Sequence, residues 1–81
     1  MSELNIQHDS LGQRFILSEG NASALLDYQL NGQHIDFCHT YVPPEFRGKG
    51  LAEKLVRHAL SWAQSSGLQI HASCSYVQRF L

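Results

Sequence analysis

The chain changes its hydrophobic period once, across a segment that holds both of its prolines and two of its glycines. Up to Val42 the apolar residues recur mostly at every second position, as they do in half-buried strands. From Leu51 to Ala63 they recur as Leu51, Ala52, Leu55, Val56, Ala59, Leu60 and Ala63, the stripe of an amphipathic helix, with Glu53, Lys54, Arg57, His58 and Ser61 on the wet side. Between the two regimes stands Pro43-Pro44-Glu45-Phe46-Arg47-Gly48-Lys49-Gly50. That order puts a glycine-rich turn at the N-terminus of a helix, where unpaired backbone N–H groups and the positive end of the helix dipole suit a phosphate. Glycine also removes the Cβ that would keep a ligand from the backbone. The turn is neither a Gly-Lys-Ser/Thr phosphate loop nor a Gly-x-Gly-x-x-Gly dinucleotide turn. On spacing alone, a plain strand-to-helix turn is the better account of it.

The first half reads as an antiparallel meander. Residues 5–8 form a first strand, and Asp9-Ser10-Leu11-Gly12 supplies turn residues. Residues 14–18 form a second strand around Phe15-Ile16-Leu17, and Gly20-Asn21 is a tight turn. Residues 24–30 alternate, with Ala24, Leu26, Tyr28 and Leu30 on one face, and Asn31-Gly32 is a hairpin signal. Residues 34–42 form the fourth strand. Strict alternation puts Ile35, Phe37, His39 and Tyr41 on one face and His34, Asp36, Cys38, Thr40 and Val42 on the other. After the helix, Gly67 is placed for a left-handed cap and residues 68–74 form a fifth strand. A crossover helix between two strands of one sheet favours parallel pairing of strands four and five. Residues 76–81 allow one helical turn. The fold class is α+β.

With 81 residues the chain has room for a single domain, residues 1–81. A domain of this size buries only about 60% of its unfolded surface. A net charge of −1, with basic and acidic residues interspersed, argues against a nucleic-acid face. No apolar run spans a bilayer and no basic-then-apolar leader opens the chain, so the protein is expected to be cytoplasmic with no membrane partner. Cys38 and Cys74 then read as free thiols. The sequence lacks Cys-x-x-Cys and His-x-x-x-His spacings, so no metal centre is expected. A small domain with exposed strand edges is expected to be a monomer or a weak homodimer.

Arg47-Gly48-Lys49-Gly50-Leu51-Ala52 fits the Arg/Gln-x-x-Gly-x-Gly/Ala loop of the GNAT acetyltransferases, and Val42-Pro43-Pro44-Glu45-Phe46 resembles their lead-in to it. The order of elements also matches the core of that superfamily. Ordinary members carry one or two helices between the first two strands; here about four residues fill that gap. The chain therefore resembles the minimal GNAT domains that lack those helices. The resemblance runs over nearly the whole chain, through His39-Thr40-Tyr41-Val42-Pro43, Arg47-Gly48-x-Gly50-Leu51-Ala52 and Cys74-Ser75-Tyr76-Val77.

This resemblance implies an acetyl-coenzyme A-dependent N-acetyltransferase acting on an acceptor amine, a protein lysine or N-terminus among the possibilities. The alternative is a coenzyme A-binding module with little or no catalysis. Residues 48–52 would present N–H groups to the diphosphate, Arg47 and Lys49 would add charge, and Tyr41 and Val42 would run beside the pantetheine arm. A backbone N–H of the fourth strand would polarise the thioester carbonyl. Cys74, at the end of strand five, could accept the acetyl group, protonate the departing thiolate, or serve as a small buried hydrophobe. Tyr76 is the rival acid, against a packed aromatic. His39 could take a proton from the amine, against a hydrogen-bonded core histidine.

Overall fold

The computed structural model describes residues 5–81. Four strands, β1 (Asn5–Asp9), β2 (Arg14–Glu19), β3 (Ala22–Asn31) and β4 (His34–Tyr41), run as an antiparallel meander. A 3₁₀ turn (Pro44–Phe46) and helix α1 (Leu51–Ser65) lead to β5 (Gln69–Ala72), which pairs with β4 in parallel, and helix α2 (Ser75–Gln78) follows. The sheet order is β1-β2-β3-β4-β5. The α+β meander with a crossover helix and a parallel fifth strand is thus present as the sequence predicts.

Several boundaries differ. β1 takes in Asp9, so residues 10–13 connect the first two strands; Asp9 Oδ1 accepts the Gly12 N–H at 3.0 Å to shape that turn. Asn31 pairs with His34, which leaves Gly32-Gln33 as the hairpin loop in place of Asn31-Gly32. Helix α1 continues to Ser65 and closes as predicted on Gly67, at φ 73°. The Gly67 N–H donates to Gln64 O and the Leu68 N–H to Ala63 O, the two bonds of a Schellman cap.

The two helices cover one face of the sheet. Phe15, Leu17, Ala24, Leu26, Tyr28, Ile35 and Phe37 are buried beneath Leu55, Val56, Ala59 and Ala63 of α1 and Val77 of α2. Each large apolar side chain fully buried there stabilises by about 1.5–3 kcal/mol. The three ion pairs among the described residues, Arg14–Asp27, Lys49–Glu19 and Arg57–Glu53, all retain solvent exposure and are worth about 0–1 kcal/mol each. Apolar burial on one face of the sheet therefore holds the fold.

The strict alternation read along β4 fails midway. Tyr28 pairs with Phe37 but Asp27 pairs with His39, so Cys38 is an extra residue, a β-bulge whose Sγ lies 3.6 Å from Asp27 O. Beyond the bulge the parity is inverted. Thr40, opposite buried Leu26, turns to the helix side, while His39 and Tyr41, opposite Asp27 and Leu25, turn to the bare side. His39 is accordingly exposed and does not share a face with Phe37.

Candidate active site

The turn before α1 is built around one anchor. Phe46 is buried, and the chain on either side is tied by the Phe46 N–H to Pro43 O, the Arg47 N–H to Pro44 O and the Lys49 N–H to Phe46 O. Gly50 occupies the N-cap at φ 71°, a conformation an L side chain rarely adopts, and no side chain caps the helix. The first turn of α1 closes with the Lys54 N–H on Gly50 O, so the N–H groups of Leu51, Ala52 and Glu53 have no partner within the helix. A Cβ built on Gly48 or Gly50 would meet nothing within 4 Å. Open space above unpaired donors fits a diphosphate. Arg47 is exposed, and Lys49 lies 3.8 Å from Glu19, a pair too exposed to compete strongly with an incoming anion.

The second part of the site lies where β4 and β5 separate. Their pairing ends at Phe37–Ala72, although β4 runs on to Tyr41. Two contacts set the end. Both oxygens of Asp36 are taken by Ser73, from its N–H at 2.8 Å and from its hydroxyl at 2.6 Å, and the Cys74 N–H donates to Phe37 O. β5 thus stops at Ala72, two residues short of the strand predicted to reach Cys74, because Ser73 bonds a side chain in place of the next β4 backbone group. Beyond this point the β4 amides that face the gap have lost their strand partner. Tyr41, about half exposed, and Val42, half-buried, lie at the end of β4 that borders the gap.

Cys74 stands at the mouth of that gap. Its Sγ lies 3.3 Å from Thr40 Oγ1 across the opening. Burial acts to raise its thiol pKa, but the Thr40 hydroxyl and the backbone N–H groups of Val77 and Tyr76 outweigh burial and leave the pKa below its ordinary value. Those N–H groups face the sulfur without closing a capping bond of ordinary length. Cys38, in contrast, is pushed up by burial and then by the carboxylates of Asp27 and Asp36.

The remaining candidates separate. Tyr76 enters α2 two residues after Cys74; its ring packs edge-on to Phe80 at 5.4 Å and its hydroxyl has no protein partner among the described residues. His39 borders the same gap from the opposite side of the sheet, so it does not join Cys74 and Thr40 on the helix side. Thr40 itself was not a candidate in the sequence, because unbroken alternation groups it with Cys38 and Asp36 instead of opposite the core residue Leu26. A surface cavity of about 200 Å³, lined by Arg57, Leu60, Ser61, Gln64 and Phe80, lies between α1 and the C-terminal residues and takes in neither the glycine turn nor Cys74.

A mixed sheet that opens at the ends of β4 and β5, with a glycine turn feeding the crossover helix, defines the chain as an α+β protein of the acetyltransferase type of core. It belongs to the GCN5-related N-acetyltransferase family, whose model matches residues 14–81. Protein NATD1 of Bos taurus is 33% identical over 96% of this chain and 72% of its own length. Protein NATD1 of Xenopus tropicalis is 31% identical over 99% of this chain and 76% of its own. The solution structure of a GCN5-like protein from Staphylococcus aureus superposes with a TM-score of 0.75 at 30% identity, covering 99% of this chain and 79% of that one.

Proposed function

We propose that the chain is an acetyl-coenzyme A-dependent N-acetyltransferase whose acceptor is an amine of a protein lysine or N-terminus. The observation that carries this reading is the placing of Cys74, hydrogen-bonded to Thr40, at the mouth of the gap between β4 and β5. Residues 48–53 would hold the diphosphate through backbone N–H groups, with Arg47 and Lys49 adding charge. Tyr41 and Val42 would flank the pantetheine arm. Bound acetyl-coenzyme A supplies the thioester: the amine nitrogen bonds to the acetyl carbon, the carbon–sulfur bond breaks, and the leaving thiolate needs a proton. The β4 amides beyond the bulge, past the last pair with β5, can donate to the carbonyl oxygen as charge develops there. Tyr76 or Cys74 can return the proton to the thiolate, and His39, on the bare side, can take one from the amine. The lowered thiol of Cys74 also equips it to carry the acetyl group itself.

Calorimetry with acetyl-coenzyme A, followed by turnover on a panel of amines and lysine peptides, tests the proposal. Binding with turnover is expected. Cys74→Ala should keep coenzyme A affinity and lose rate; an unchanged rate per folded molecule would reduce Cys74 to packing. An acetyl group trapped on Cys74 without acceptor would make the route covalent. A second reading, a coenzyme A-binding module with little catalysis, is favoured by the four-residue connection between β1 and β2, which supplies no wall for a small acceptor. Binding without turnover on any acceptor would select it.

A further inference from the structure

The bare face of the sheet carries a pair of side chains that the proposed acetyl-transfer site does not use. His34 of β4 and His71 of β5 lie diagonally across the parallel ladder, in which His34 pairs with Gln69 and Asp36 with His71. His34 Nδ1 and His71 Nε2 are 3.1 Å apart, the rings stack with centroids at 5.3 Å, and both residues are exposed. Among the described residues no three of the His, Cys, Asp and Glu side chains gather as a closed metal cage. Two imidazole nitrogens converging from a rigid ladder are nevertheless a chelate.

We propose that His34 and His71 form a bidentate site for one borderline divalent cation, with Zn²⁺ as the test case and water completing its coordination. Zn–N bonds of about 2.0–2.1 Å place two cis nitrogens about 2.9 Å apart at a right angle and about 3.4 Å apart at the tetrahedral angle. The observed 3.1 Å lies between these limits. The rings are exposed, so a small rotation aims both lone pairs at a common ion in place of their shared hydrogen, with no burial to oppose it. Imidazole is a ligand of choice for zinc, copper and nickel. The carboxylate opposite His71, that of Asp36, adds negative charge nearby; both its oxygens are occupied by Ser73, which makes it a neighbour and not a third ligand. Spacing could not disclose the pair, because its members are 37 residues apart in sequence. A bound ion would bridge β4 and β5 across the ladder that ends at Phe37–Ala72 and fasten the paired side of the gap that opens beyond Phe37.

Titration of ZnCl₂ into the chain, by calorimetry and by imidazole ¹H–¹⁵N NMR, tests this directly and does not depend on acetyl transfer. One Zn²⁺ per chain is expected, with shifts at His34 Nδ1 and His71 Nε2. His34→Gln and His71→Gln should each weaken binding at least tenfold, and His58→Gln on α1 should leave it unchanged. Three results would overturn the proposal. The first is no saturable binding up to about 1 mM. The second is undiminished affinity in both glutamine variants when circular dichroism finds them folded. The third is loss of binding only on Cys38→Ser or Cys74→Ser, which would put the ion on a thiol.

Discussion

Cys38 and Cys74 are both half-buried thiols, and what touches them sets them apart. Alkylation proceeds through the thiolate, so the fraction ionised controls the rate. Cys74, whose pKa is lowered, should react with iodoacetamide at a lower pH than Cys38, whose pKa is raised; peptide mapping across pH 6–10 reads both midpoints. Thr40→Val deletes the hydroxyl and should move the Cys74 midpoint upward while leaving that of Cys38 in place. Coincident midpoints in the native chain would remove the electrostatic basis for a reactive Cys74. A second titration belongs to His8, stacked on Phe15 at 4.1 Å and hydrogen-bonded through Nε2 to the Tyr28 hydroxyl at 2.6 Å. Burial, chiefly, lowers its pKa from 6.5. Neutral His8 therefore contributes its stability in full above about pH 6.5, and that contribution is lost as pH falls through the lower folded value. Denaturant melts between pH 7 and 5 should fall more steeply for the native chain than for His8→Phe. At this scale, Cys74 was legible because a motif surrounds it. Thr40 was not, because its role depends on a partner 34 residues away and on a parity that the bulge reverses.

Among elements, the strands and the crossover were legible because each carries its own period, and parallel pairing follows from a helix inserted between two strands. The bulge left no local mark. Cys38 is one more residue in an alternating run, and only its pairing against Asp27 and Tyr28 reveals that two residues oppose one. The end of β5 was hidden for a similar reason, since it is set by the Asp36 carboxylate from a neighbouring strand. The glycine turn was legible through its residues, and its open donors bear on binding. Gly50→Val places a branched side chain at a φ of 71° and fills the space above Leu51 and Ala52. Coenzyme A affinity should fall at least tenfold, about 1.4 kcal/mol, in calorimetry on the folded variant. Unchanged affinity would remove the turn from the site. Gly67→Ala, at φ 73° in the Schellman cap and far from that turn, should cost about 1 kcal/mol in a thermal melt and leave coenzyme A affinity alone.

For the whole molecule, what matters is the face left uncovered. Both helices pack on one side of the sheet, and residues 10–13 are all that join β1 to β2. The bare side presents half-buried Ile16 and Leu25, half-exposed Tyr41, exposed His39 and the Arg14–Asp27 pair, and the gap between β4 and β5 borders it. An acceptor approaching from there meets a broad, nearly flat surface on which the described residues raise no wall to orient a small amine. The advantage of holding reactants in a near-attack geometry is then small for free amines, because few contacts fix them. A peptide or protein lysine brings its own contacts to the strands and recovers part of that advantage. Slow turnover of free small amines is expected, with better rates on lysine peptides, measured as kcat/KM on matched panels. Ala substitution of Ile16 and Leu25 should raise KM for peptides more than for small amines if the bare face docks the acceptor. A polyamine or aminoglycoside preferred over every peptide, at about 10⁴ M⁻¹s⁻¹ or more, would mean that a wall forms on binding which this sheet does not display.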